Sequence, residues 1–338
     1  MKLHVVSAYP EDVWGNFAAD WLRESAKLDV HGQHTITDDP DSAHAILFME
    51  GHPGQDMFME RVFWHPLRRR HPEKTFLYHD WDYAFPLVQG VYPSIRAPHH
   101  RAGLSAGGVY LARIEENKAV THARDLRVEQ DLLYSFVGAY NCAVRDRILH
   151  AKVPNTQVVD TAGRYAWQLE GEERARYENE YVETCARSRF ILAPRGIGPS
   201  TYRLFEAMEL GRCPVIISDD WVAPPFIPWD TFSIRVKESQ LDELPRILAD
   251  KPYAELGRLA REAWEQYVDR PHAFHYLAES IQLIRSEKKQ GASRRNPYLA
   301  LMASDLRNLY VRNKLRVAKR KLKSLLKKAP GAGAPASG

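Results

Sequence analysis

The stretch SRFILAPRGIGPSTYRLFEAMELGRCPVIISDDWVAPPF, residues 188–226, decides the reading of this chain. It is a strand-sized apolar run, a Gly/Pro-rich loop, a helix-length amphipathic segment, a glycine stop at Gly211 and a second apolar run. That order is a βαβ unit, which predicts a parallel α/β layer. Gly196 and Gly198 let the backbone bend and approach a ligand with no Cβ in the way. Ser200 stands where an N-cap belongs, so the free N–H groups of the helix start point into the loop. An anion such as a diphosphate suits that place, and Arg195 and Arg203 add charge-assisted donors. Glu206 falls on the helix face set by Arg203, where a carboxylate can accept both hydroxyls of a ribose. The plainer alternative is a βαβ unit with a surface arginine paired to a helix glutamate.

Outward from this stretch the same alternation continues. Strand candidates upstream are 3–8, 45–49, 75–79 and 109–113, with helices around 14–27 and 57–68. The polar segment 115–128 lacks periodicity and reads as an interdomain linker. The second half offers strands at 132–137, 156–159, 190–193, 215–218 and 232–236. Its helices fall at 144–150, 172–187, 201–210, 241–250 and 253–267, with another at 271–286. The expected assembly is two Rossmann-like domains, residues 1–126 and 127–286, facing each other across a cleft. A basic tail, 287–328, and a disordered end, 329–338, follow.

Composition narrows the class. The chain has 338 residues, 44% hydrophobic and 27% charged, which is a soluble globular balance, and no run is long enough to cross a bilayer. The first residues read as a strand and not as an export signal. Three dispersed cysteines, without a CxxC, argue for reduced thiols and a cytoplasmic setting. The net charge is +4, yet residues 307–328 hold ten Lys or Arg and no acid, so the remainder sums to −6. An acidic body excludes a general nucleic-acid surface.

The motif order in residues 185–240 resembles the donor-binding half of the exostosin-like glycosyltransferases. The matching positions are Pro194-Arg195-Gly196, Ser200, Arg203, Glu206-Ala207, Cys213-Pro214-Val215 and Ser218-Asp219, then Pro225-Phe226 and Trp229. The resemblance implies a GT-B fold, inverting sugar transfer and a nucleotide held by the second domain, with uracil as its base. Carried over by residue, Glu206 grips the ribose, while Arg203 and the Gly196–Ser200 loop hold the diphosphate. Phe136-Val137-Gly138 with Val144-Arg145 is similar to the family's upstream motif and makes Arg145 a second diphosphate ligand. A solvated helix charge is the alternative there.

Inverting transfer needs a base for the acceptor hydroxyl. In TFLYHDWDYAFPLVQGVYPS, residues 75–94, an apolar strand delivers His79, Asp80 and Asp82 to a strand end, where α/β clefts place functional groups. Asp82 is the first candidate, with Asp80 and His79 behind it; capping of the strand end is the structural alternative. Asp80-Trp81-Asp82 also spells the D-x-D by which another glycosyltransferase fold holds a divalent metal. Because cations and a helix dipole already serve the phosphates, no metal and no further cofactor is expected. His99-His100 and His65…His71 read as loop residues.

Val311, Leu315, Ala318, Leu322 and Leu325 form one apolar stripe among the tail's basic residues. Such a helix suits the interface of an anionic bilayer through residues 304–328; a solvated or body-docked helix is the alternative. The sequence therefore describes a cytoplasmic, peripherally membrane-associated enzyme. It would extend a glycan or lipid-linked acceptor in cell-surface polysaccharide assembly. The rival readings are a non-catalytic sugar-nucleotide-binding scaffold and a metal-dependent transferase using Asp80 and Asp82.

Overall fold

The computed structural model describes residues 1–9, 17–51, 56, 58–111, 117–290 and 304–328. The first half runs β1 (Lys2–Val6), α1 (Phe17–Leu28), β2 (Thr35–Ile36), β3 (Ala45–Glu50), α2 (Glu60–Trp64), α3 (Pro66–Arg70), β4 (Thr75–His79), β5 (Gly90–Tyr92) and β6 (Ser105–Gly107). All pairings are parallel, in the order β2-β1-β3-β4-β5-β6. Every residue of β3 and β4 is buried, because central parallel strands are covered on both faces. The helix expected over 57–68 is two short helices, since Pro66 forces the preceding His65 out of helical geometry (φ −61°, ψ 138°).

The second half adds α4 (Lys118–His122), β7 (Leu132–Gly138), α5 (Ala143–His150), β8 (Thr156–Asp160), α6 (Gly171–Ala186), β9 (Ser188–Pro194), α7 (Tyr202–Glu209), β10 (Cys213–Ile217), β11 (Ile234–Arg235), α8 (Leu244–Leu248) and α9 (Tyr253–Tyr267). Its parallel sheet has the order β11-β10-β9-β7-β8. Each sheet thus places its first strand between its second and third, so each has a switch point where crossovers part to opposite sides. These are the two Rossmann-like halves of a GT-B fold.

Two expectations fail for identifiable reasons. Residues 109–111 are not a strand: the buried Tyr78 hydroxyl donates to the Val109 carbonyl and accepts from the Leu111 N–H, both at 2.9 Å. A phenol takes the place of a ladder partner, and β5 and β6, three residues each, pair instead; residues 112 and 113 lie outside the described residues. Within the proposed linker, residues 117–128 contain α4, and its Val120 is fully buried with Val137, Tyr181 and Ile191. Apolar positions at 119, 120 and 123 give this short segment one face to bury.

After α9, helix α10 (Arg270–Lys289) returns to the first half. Asp269 caps it by accepting from Arg270 N at 2.8 Å, and Pro271 occupies the first turn. Phe274, Leu277, Ile281 and Ile284 are buried with Leu3, Val5, Leu22 and Phe76. Four such side chains contribute about 1.5–3 kcal/mol each. The first core therefore includes residues that the sequence reading counted with the second domain. Ser25 fixes the contact, donating to Arg270 O and accepting from Phe274 N.

The halves meet without an intervening layer. Arg96 forks onto Asp220 (2.7 and 2.9 Å), and a Cβ on Gly107 would lie 2.4 Å from the Val222 carbonyl oxygen. Helix α11 (Ser304–Lys328) forms a separate unit in which Val311 and Leu315 are exposed. Among the described residues no helix is long and apolar enough to cross a membrane. The end expected to be disordered, 329–338, lies outside them.

Candidate active site

At the second switch point β7 and β9 lie side by side and end at Gly138 and Pro194. The helices that follow them, α5 and α7, each carry an arginine in the first turn, Arg145 and Arg203. Arg145 is buried and donates to three carbonyls: Arg195 (3.0 Å), Ala139 (3.3 Å) and Pro194 (3.4 Å). Arg203 donates to the Val137 carbonyl and to the Thr201 hydroxyl. A side chain beside either would displace it: a Cβ on Gly138 would meet Arg203 Nη2 at 2.6 Å, and one on Gly196 would meet Arg145 Nη2 at 2.9 Å. Burial, and then the charge of Arg203, push the Arg145 guanidinium down. Two cations that repel each other are thus held side by side by carbonyls at strand ends, an arrangement that an anion placed between them would relieve.

Three sequence expectations change in detail. Arg195 is directed to Glu238 (Nε–Oε1 2.7 Å), and Glu238 is in turn held by the Asp219 backbone. Its side chain is thus engaged outside the pair of arginines, and its carbonyl serves as the acceptor for Arg145. The N-cap of α7 is Thr201 (φ −152°, ψ 144°), one residue beyond Ser200. Ser200 is buried, with its hydroxyl beside that of Tyr110. Glu206 is buried and accepts a 2.5 Å hydrogen bond from Tyr181 on α6, a partner that sequence spacing did not indicate. Gly211 does stop the helix: at φ 63° it lets Arg212 N bond Ala207 O and Gly211 N bond Met208 O.

The first half delivers β4 and its following loop to the same place. A Cβ on Gly198 would lie 2.7 Å from the Asp82 carbonyl oxygen and 2.8 Å from Ser94 Oγ, so the Gly-rich loop touches the acidic loop directly. Asp82 is half-buried; burial raises its carboxyl, and Arg145 pulls it back down. Asp80 is more deeply buried, which pushes its carboxyl up to about 8, and the Asp82 charge adds to the rise. His79 is interior, lowered to about 3 by burial, with its ring edge-on to Tyr92. It is neutral at ordinary pH and packs in the core, so the strand end presents Asp82 and not His79 to the crevice. Tyr110, which the sequence did not single out, bonds Ser94 (2.6 Å) and lies against Tyr202, ring centroids 4.1 Å apart. Nothing in its local sequence marks it; only the meeting of the halves does.

Two doubly wound, parallel-sheet α/β halves are the architecture of the GT-B class. Residues 97–251 match the model of the Exostosin GT47 domain. The Caenorhabditis elegans Exostosin-1 homolog is 27% identical over 173 residues, which is 46% of this chain and 45% of that protein. An Oryza sativa subsp. japonica protein described as a "Probable glucuronosyltransferase" is 39% identical over 113 residues, 30% of this chain and 27% of its own. The chain thus spans less than half the length of these relatives. Among solved structures, Anabaena HepE in complex with UDP-glucose aligns with a TM-score of 0.39 at 9% identity, covering 86% of this chain and 99% of that one.

Proposed function

We propose that this chain transfers a sugar from a nucleotide-sugar, with UDP as the nucleotide, to a glycan or lipid-linked acceptor, inverting the anomeric carbon. The observation that carries the reading is the pair of buried Arg145 and half-buried Arg203, both bonded to carbonyls, with Asp82 close enough to Arg145 for their charges to interact. In this scheme Asp82 takes the acceptor hydroxyl proton as the oxygen attacks the anomeric carbon. The bond to the diphosphate oxygen breaks, and the charge that develops there is met by both arginines and by the N–H groups that open α7. Glu206, oriented by the Tyr181 hydroxyl, accepts from the ribose.

A metal-independent route is favoured by Arg145 and Arg203, which already set two cations at the strand ends where the diphosphate is proposed to lie. The exposed Val311 and Leu315 among basic residues of α11 support an anionic membrane as the enzyme's working surface. The Exostosin GT47 match is in keeping with a role in polysaccharide assembly, and we propose the cytoplasmic face as its setting.

A panel of UDP-, GDP-, ADP- and CMP-sugars, read by thermal shift and by donor turnover with and without EDTA, tests the proposal. UDP-sugars should stabilise the protein and be turned over in EDTA. Binding without hydrolysis or transfer would make the chain a scaffold, and loss of activity in EDTA would return Asp80 and Asp82 to metal binding.

A further inference from the structure

Helix α10 brings together residues some 240 positions apart in the chain. His31 and His34 lie between α1 and β2, while His272, His275 and Glu279 line one face of α10 at spacings of three and four. His34 and His275 are only 6% and 7% exposed. The ligating atoms of His34, His275 and Glu279 lie within 4.8 Å of one another, with His34 Nε2 2.9 Å from Glu279 Oε1. His275 Nδ1 is buried and has no hydrogen-bond partner among the described residues. The His31 ring stacks on His275, centroids 3.8 Å apart, and its Nε2 lies 3.0 Å from His272 Nδ1. On its other edge His34 Nδ1 lies 3.1 Å from the Met1 amine, so both nitrogens of that ring have polar neighbours.

A buried imidazole nitrogen left unpaired costs about 1–3 kcal/mol. Four imidazoles and a carboxylate packed together are a poor apolar core and a good donor set. We propose that His34, His275 and Glu279 bind a zinc-class divalent cation that pins α10 to the first half. Two imidazole nitrogens and one carboxylate match zinc and disfavour calcium and magnesium, which take oxygen ligands. Bond lengths of about 2.0–2.2 Å put tetrahedral ligand atoms about 3.4 Å apart. Side-chain rotation of His275 and Glu279 closes the remaining gap. The fourth position falls to water or to one of the two neighbouring histidines. None of these residues belongs to the candidate active site, so the cation is a staple, and this inference stands apart from the proposed reaction.

The test uses the full chain without a histidine tag, stripped with chelator, dialysed, and titrated with zinc chloride against a chromophoric chelator. One zinc should bind per chain, and cobalt(II) should give the intense visible bands of a tetrahedral site without a thiolate charge-transfer band. At 100 times the dissociation constant, zinc should raise the unfolding midpoint by about 4 °C. His275→Ala and Glu279→Gln should each weaken binding by well over 100-fold, beyond the about 10- to 100-fold that loss of a merely supporting contact costs. His150→Ala, at an exposed histidine, should leave binding unchanged. Circular dichroism on Glu279→Gln separates lost ligation from lost folding. Absence of one-to-one binding by the wild-type chain, a cobalt–thiolate band, or full affinity in both ligand variants would overturn the inference.

Discussion

Gly198→Ala perturbs the second half and should be read out in the first. No positive φ is required at Gly198, so alanine is tolerated by its own backbone and its effect is purely steric. The added Cβ would stand 2.7 Å from Asp82 O, 2.8 Å from Ser94 Oγ and 3.1 Å from Asp82 Cα. Ordinary contacts begin near 3.5 Å, so the Asp82 loop must retreat by roughly 0.5–1 Å. Ser94 is held by Tyr110 and cannot give way alone. Overpacking of this kind costs about 1–3 kcal/mol of stability. A base displaced by about 1 Å from its reacting geometry lowers turnover roughly 100-fold. Donor turnover at saturating substrate should therefore fall by about 10- to 100-fold, with a donor KM changed far less. The cycle with Asp82→Asn is decisive, because residues acting as one unit are not additive. If Gly198 acts by positioning Asp82, the double variant should be no slower than Asp82→Asn alone. Wild-type turnover in Gly198→Ala, or a double variant slowed by the product of the single effects, would refute the reasoning.

Other expectations follow from the same geometry. Arg203→Ala and Arg145→Ala should lower kcat more than they raise KM, because the charge they meet grows toward the transition state; steady-state kinetics that show only a KM change would make them binding residues. Glu206→Ala should weaken donor binding by about 1.5–3 kcal/mol in calorimetry, with the Tyr181 hydroxyl losing its acceptor as well. The Asp82 carboxyl is raised by burial, and its active form is deprotonated. The kcat/KM profile should therefore rise with pH through a value above the ordinary aspartate range, and Asp82→Asn should abolish that limb. Deleting residues 304–338 should release the protein from anionic liposomes while turnover of a short soluble acceptor stays near normal. Flotation that ignores anionic lipid content would dismiss the membrane role.

Residues 188–226 show where legibility begins and ends. The strand, loop, helix and glycine stop were readable because each rests on local chemistry: apolar runs, Gly backbone freedom, a helix terminated by a left-handed residue. The 3.6- and 2-residue periodicities fixed the α/β class and most elements of both halves to within a few residues. Arg145, Arg203 and Asp82 could be picked out as candidates because their types and spacings carry charge to strand ends.

Partnership was not local, and there the sequence stopped. Arg195 and Arg203 look equivalent in the string, yet the fold sends Arg195 to Glu238 and leaves Arg203 among carbonyls. His79, Asp80 and Asp82 are nearly consecutive, but burial depth alone separates a core imidazole, a raised carboxyl and a half-buried candidate base. Tyr78 replaced a strand, Tyr181 found Glu206, and four distant histidines met because α10 crosses back over the first sheet. Sequence determined most of the segments that form helices and strands, since backbone preference and hydrophobic period act over a few residues. Only the tertiary structure decided which polar groups lose water and whom they then face, since desolvation and charge pairing depend on neighbours that the chain order does not reveal.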